Sequence, residues 1–264
     1  MPQNNDLRGR IAGQSAMAAV VEAQSRRAPR SAIARFIGVS PLSAESRAQY
    51  RGAVGELLVG SILDRLGHAW DVLHGVPVGE TSLDHFAVGR AGIFAITVVN
   101  CQGDDVAVNG DELVVAKSLS DAIVRARESA RIVAAALAVA LGKEVDVIPV
   151  LVVVEPVKLS MLAAPADVRV LSSMQLEQWL VNVVAIFTGD EVATISSAAE
   201  AGSTWPQPHQ AAQKARKLTH AFVGIHHDVR TANLRRFLWV LAALIVTFLS
   251  VWVLTSVLTR LVLN

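Results

Sequence analysis

The alternation of apolar and polar positions changes character several times along the chain. Residues 1–40 show no steady period and carry Arg26, Arg27, Arg30 and Arg35, so they read as a basic flexible arm. From Ala44 the pattern turns helical: Tyr50, Val54, Leu57, Leu58, Ser61 and Ile62 recur at three- and four-residue steps, and Gly67 closes the helix. DVLHGVPV (71–78) reads as a strand with a proline near its end. LDHFAVG (83–89) and GIFAITVVN (92–100) are strands about a turn at Arg90-Ala91, and ELVVA (112–116) is a shorter strand after Asn109-Gly110-Asp111. Residues 120–141 are helical, with Asp121 in the first turn and Gly142 just past the end. VDVIPVLVVV (145–154) is a continuous β-branched run suited to a strand buried on both faces. VRVLS (168–172) is a further strand, and residues 174–187 form another helix. The order α-β-β-β-β-α-β-β-α predicts an α/β sandwich with a mixed sheet. Residues 189–215, with Gly189, Gly202, Pro206 and Pro208, read as a polar linker.

The run from Phe237 to Leu258 has no charged side chain. As a helix it would span about 33 Å, enough for a hydrocarbon core of roughly 30 Å. A buried core helix would need a surrounding domain, and almost no chain follows it in this sequence. We therefore expect one membrane span over residues 237–258. Arg235 and Arg236 abut its start, Lys214, Arg216, Lys217 and Arg230 lie upstream, and Arg260 alone lies beyond. By the positive-inside rule this predicts a single-pass protein of the cytoplasmic membrane with its N-terminal part facing the cytoplasm. The expected organisation is an arm over 1–40, a folded domain over 41–188, a linker and basic juxtamembrane segment over 189–234, and an anchor over 235–264. Within the juxtamembrane segment, His226-His227-Asp228 reads as a polar turn.

Composition adds limits. Formal net charge is +1, so no global field argues for nucleic acid, and any basic surface must be local. Cys101 is the only cysteine, which excludes an internal disulfide and a cysteine-cluster zinc site. The first ten residues carry no apolar run of signal-peptide type. The arginines Arg125, Arg127 and Arg131 on the 120–141 helix could meet phosphates or form a solvated face.

The paired strands at 83–100 raise a nuclease question. Metal-dependent nucleases need carboxylates around an ion that activates water and neutralises charge on the phosphate. An acid-x-lysine pair on one strand suits that task, because period two points both side chains to one face. Here Ile93, Ala95, Thr97 and Val99 share a face. YRGAVGELLVGSILDRLGHAWDVLHGVPVG, followed by LDHFAVGRAGIFAITVVN, resembles the NERD family of nuclease-related domains. The resemblance runs from about Phe36 to Leu180, with IPVLVVV similar to the family's closing strand. It implies a restriction-endonuclease-like α/β sandwich with a mixed sheet, similar in core layout to the PD-(D/E)xK nuclease superfamily, here with a C-terminal transmembrane helix.

The resemblance also implies a site. Glu56 in GAVGE matches the family's helical acid, and Asp84 in LDH its strand acid, with His85 as the usual neighbour. Ser82 stands where another acid is frequent. Thr97 and Val99 stand at the positions of the next acid (or Asn) and the lysine, followed by Asn100. Glu56 and Asp84 could still share a magnesium ion with water and a backbone carbonyl. Without the resemblance they read as an exposed helix acid and a strand-start residue. Lys117 is the nearest downstream candidate for a migrated lysine. The expected function is a membrane-anchored pseudonuclease that binds nucleic acid or a protein partner. The alternatives are an active magnesium-dependent nuclease using Asp84 and Glu56, or a membrane scaffold that keeps only the fold.

Overall fold

In the computed structural model, which describes residues 7–79, 81–205 and 215–262, three helices precede the first strand. They are α1 (Gln14–Ser25), α2 (Ala32–Phe36) and α3 (Ala44–Leu63). Strands β1 (Trp70–Val78), β2 (Thr81–Gly89) and β3 (Gly92–Asn100) follow, then β4 (Asp105–Asn109), β5 (Glu112–Val115) and β6 (Ser118–Ser120). Helix α4 (Ala122–Leu141) leads to β7 (Ile148–Val154), β8 (Lys158–Ala163) and β9 (Arg169–Ser172). Helices α5 (Ser173–Asn182), α6 (Gly189–Glu200) and α7 (Ala215–Val262) complete the chain. Pro206, Pro208 and Lys214, expected in the linker and juxtamembrane segment, lie outside the described residues.

The main sheet has the order β1-β2-β3-β7-β9. β1, β2 and β3 pair antiparallel, and β3, β7 and β9 pair parallel, so the sheet is mixed. The parallel step from β3 to β7 requires a crossover, and α4 provides it. β7 is buried on both sides, as its unbroken apolar run requires. Val150, Val152 and Val154 pack with Val59 and Ile62 of α3 and with Leu176 and Leu180 of α5. Leu151 and Val153 turn the other way, toward Ile123 and Ala126 of α4. The opposite end of α4 joins α6 in covering β1, β2 and β3, with Val133, Leu137, Val192 and Ile195 on Phe86, Val88 and Ile93. Each such side chain contributes roughly 1.5–3 kcal/mol of burial.

A second sheet, β6-β5-β4-β8, stands beside this core. Only β5 is legible in the sequence; the polar and exposed apolar residues of β8 give no core-facing stripe. Three expectations need correction. Residues 14–25 are not a loose arm but the helix α1, whose Met17 and Val20 are wholly buried against Tyr50, Leu218 and Phe222. The expected linker begins with α6, started by a reciprocal cap between Thr188 and Glu191. The helix expected over 174–187 stops at Asn182, and the N–H groups of Ile186 and Phe187 instead donate to the Arg90 carbonyl at 2.7 and 2.9 Å. In each case long-range burial or capping overrides a weak local period.

α7 has two halves of different surroundings. Its first half packs Leu218, Phe222, Val229 and Ala232 against the domain. From Phe237 to Ser256 the helix is strongly apolar and, apart from the contact of Trp239 with Phe36, bare, and α7 is long and apolar enough to cross a membrane. His226, His227 and Asp228 lie inside this helix rather than in a turn; His226 Nδ1 meets the Tyr50 hydroxyl at 2.8 Å, and Asp228 pairs with Arg30 at 2.8 Å.

Candidate active site

Helix α3 approaches β3 most closely at Gly55. A Cβ added there would fall 2.9 Å from Asn100 Cβ and 3.3 Å from Val98 Cγ1, so only glycine fits without a shift. This close approach brings Glu56 toward the middle of β2, where Asp84 lies. The β2–β3 ladder runs from Gly89↔Gly92 to His85↔Ile96 and stops just before Asp84. Asp84 Oδ2 then accepts the Val98 N–H at 2.7 Å, a donor the ladder leaves free. Asn100 fixes the other end of the same stretch. Its Nδ2 donates to the Arg51 carbonyl at 3.0 Å, and its Oδ1 accepts the Gln102 N–H at 3.0 Å.

The two carboxylates are half-buried and sense each other. Burial pushes the Glu56 carboxyl well above the usual range; the charge of Asp84 adds to this, and the Gly13 N–H opposes it. Burial also raises Asp84, against the Val98 N–H and the charge of Arg125. Glu56 and Asp84, which lie on different elements, are thus near enough for the charge of Asp84 to act on Glu56. Gly13 belongs to the N-terminal segment expected to be loose; it stands at φ +69° as the cap of α1 and lies directly over Glu56.

Thr97 is buried on the strand face that points to α4. Val99 packs among Ile123, Ala126, Leu151 and Val153, in an apolar setting with no charge to offer. The cation that reaches Asp84 comes from α4 instead, as Arg125, which also pairs with Asp121 at 3.0 Å. The sequence presents Arg125 only as part of a helix face. The available signal is its place beside Ala122, Ile123 and Ala126, the apolar stripe that turns α4 toward β3. Lys117 sits exposed at φ +67° in the hairpin turn between β5 and β6, in the second sheet. Arg127 is committed to Asp111 and Asp167, and Arg131 to Glu128, so this helix face is largely neutralised by its own carboxylates.

Beneath Glu56, a histidine pair is buried under Gly60. His74 Nδ1 and His85 Nδ1 lie 2.8 Å apart with their rings edge to face. Such a bond needs one neutral acceptor. Burial lowers the pKa of both rings, and His74's charge lowers that of His85 further. His85 Nε2 makes no hydrogen bond of good geometry. His74 Nε2 faces Asp64 at 3.9 Å.

As a metal site this region supplies two carboxylates, of which Glu56, drawn up to about 8 by burial and by Asp84, is the reluctant ligand at neutral pH. Among the described residues no group of three His, Cys, Asp or Glu converges as an ion would require. Magnesium can be held by one or two carboxylates with water, so Glu56 and Asp84 suffice for a weak site only.

The family model of the nuclease-related domain, NERD, matches residues 51–154. That span holds Glu56, the histidine pair, Asp84, Thr97, Val99 and Arg125. Neither a curated protein nor a solved structure matches the chain.

Proposed function

We propose that this chain, which carries a nuclease-related domain over residues 51–154, is a membrane-anchored pseudonuclease that uses the domain to bind nucleic acid or a protein partner. One observation carries this reading. On β3, Thr97 is buried and Val99 is half-buried among apolar side chains, at the positions where phosphoryl chemistry requires an acid and a cation. Losing one preorganised electrostatic group commonly lowers the rate about 10²–10³-fold, and here two are replaced. The bare apolar half of α7 supports anchoring, and Arg235 and Arg236 at its start support a domain that faces the cytoplasm.

A second reading rests on Arg125. Its charge reaches Asp84, so it could stabilise charge on a phosphate bound by a magnesium ion on Asp84 and Glu56, in a working nuclease. The assay that separates the two uses the full chain in mild detergent, with single- and double-stranded DNA and RNA and either magnesium or manganese. The expected result is no cleavage above that of an Asp84→Ala preparation. Metal-dependent cleavage that disappears in both Asp84→Ala and Arg125→Gln supports the second reading and overturns the first.

A further inference from the structure

The short helix α2 poses a packing problem. Ser31 caps it by accepting the Ala34 N–H at 3.1 Å, yet Ile33 and Phe36 are 74% and 62% exposed, and Ile37 and Val39 are also open. A contiguous apolar surface on so short an element marks an interaction site. The segment is nevertheless held in place. Arg235 donates to the Arg35 carbonyl at 2.7 Å, Trp239 Nε1 to the Phe36 carbonyl at 3.1 Å, and Arg236 to the Gly38 carbonyl at 3.4 Å. The Phe36 and Trp239 rings meet edge-on at 5.2 Å. Gly38, at φ +79°, allows this approach, since a Cβ there would fall 2.5 Å from the Ala232 carbonyl oxygen. α2 is therefore pinned where α7 passes from its packed half to its bare half.

Between the two helices runs an open groove of about 730 Å³. Leu238, Trp239 and Ala242 line it toward the span, and Arg35 and Arg235 at the domain end. Among the described residues, Arg35, Arg235 and Arg236 have no carboxylate partner, whereas nearby Arg26 and Arg30 are paired with Glu22 and Asp228. An apolar floor that continues along a membrane-crossing helix, with unneutralised guanidinium groups at its entrance, matches one ligand shape. That shape is an acyl chain topped by an anionic phosphate. Trp239 at the junction is also where an amphipathic ring favours the headgroup level.

We propose that the α2–α7 groove is a binding site for an anionic phospholipid, with the phosphate between Arg35 and Arg235 and an acyl chain along Leu238, Trp239 and Ala242. α2 then lies in the interface with Ile33, Phe36 and Ile37 turned to the lipid. This rests on the anchoring reading above. It adds that the domain is oriented on the bilayer by a specific lipid contact rather than hanging from a single helix. Arginine is suited to the task because its planar fork binds phosphate in two places and stays charged at any physiological pH.

The test uses the full chain in nanodiscs of equimolar phosphatidylcholine and phosphatidylglycerol, released into native mass spectrometry. The expected result is retained phosphatidylglycerol in preference to phosphatidylcholine. The preference should fall roughly fivefold for each arginine removed in Arg35→Gln and in Arg35→Gln/Arg235→Gln, and stay within about twofold of the native chain in Arg236→Gln, which does not line the groove. Because Arg235 and Arg236 also hold carbonyls, the single Arg35→Gln is the cleaner variant: the Arg35 carbonyl contact survives it. Arg35→Lys should retain most of the preference. Equal retention of both lipids by the native chain overturns the proposal, as does a lipid-free dimer sealed across the groove. Displacement of the bound lipid by millimolar inorganic phosphate also overturns it, because the site would then read a free anion. Carbonate extraction of the same membranes keeps the two readings apart. A native chain that stays in the pellet without lipid preference defeats only the groove; one that washes out defeats the anchor.

Discussion

Replacing Glu56 by glutamine tests the electrostatics around this carboxyl directly. The Glu56 carboxyl is pushed up to about 8 in the folded chain, against an ordinary value of 4.5, chiefly because burial removes water from the carboxylate and secondly because Asp84 is beside it. Between those two values the folded state holds a proton that the unfolded state has lost. Stability therefore falls as pH rises through that window, and is insensitive to this group below it. At 1.36 kcal/mol per pKa unit the full shift would correspond to roughly 5 kcal/mol. Partial exposure and sharing with Asp84 reduce that to about 1–3 kcal/mol. A glutamine side chain keeps the shape and cannot ionise. Glu56→Gln should thus match the native chain at pH 5 and exceed it by about 1–3 kcal/mol at roughly pH 8.5, or several degrees in Tm for a chain of this size. Melts of both full chains in neutral detergent, followed by near-ultraviolet circular dichroism, measure the difference. The histidine pair changes stability at acid pH in both proteins and cancels in the comparison. Equal Tm differences at the two pH values would refute the assignment of a desolvated carboxylate at residue 56.

Gly55→Ala should destabilise by about 1–3 kcal/mol, since the new methyl meets Asn100 Cβ and Val98 Cγ1 between two regular elements; denaturant titration reads the loss. Val99→Lys alone should leave nuclease activity absent and cost several kcal/mol by placing an ammonium among Ile123, Ala126 and Leu151, and Thr97→Glu/Val99→Lys is the informative pair once its melt shows a folded protein. When the pH is lowered from 7 to 5.5, the native chain should lose stability relative to His85→Phe, because the depressed pKa values of His74 and His85 let the unfolded state take up more protons there, while the opposing contribution of Glu56 and Asp84 is common to both chains and cancels; paired melts at the two pH values read the difference. Deleting residues 235–264 should move the chain from the membrane pellet to the soluble fraction with its fold kept. Deleting 215–264 should also lower its Tm, because Leu218, Phe222 and Val229 belong to the core around α1.

The sequence by itself determined the elements whose local signal is strong. The apolar run at 145–154 read as a strand buried on both faces, the periods at 44–66 and 120–141 read as helices, each within three residues of the observed ends, and the charge-free stretch at 237–258 stood out by composition. The acids Glu56 and Asp84 and the uncharged Thr97 and Val99 were also legible, because strand alternation and family spacing are one-dimensional facts. Other features were decided by tertiary structure. α1 and α6 have weak periods and exist because α3, α4 and the first half of α7 offer them apolar surface. β6 has only three residues, and β4 and β8 lack an apolar run strong enough to stand out; β4 and β6 are held by hairpin pairing with β5, and β8 by parallel pairing with β4. Arg125 reaches Asp84, Gly13 covers Glu56, and His74 bonds to His85 only because the sheet, helix α4 and the N-terminal segment pack residues far apart in sequence side by side. A side chain's charge is written in its residue type, but its pKa and its partners depend on which surfaces exclude water around it, and that is set by packing across the whole chain.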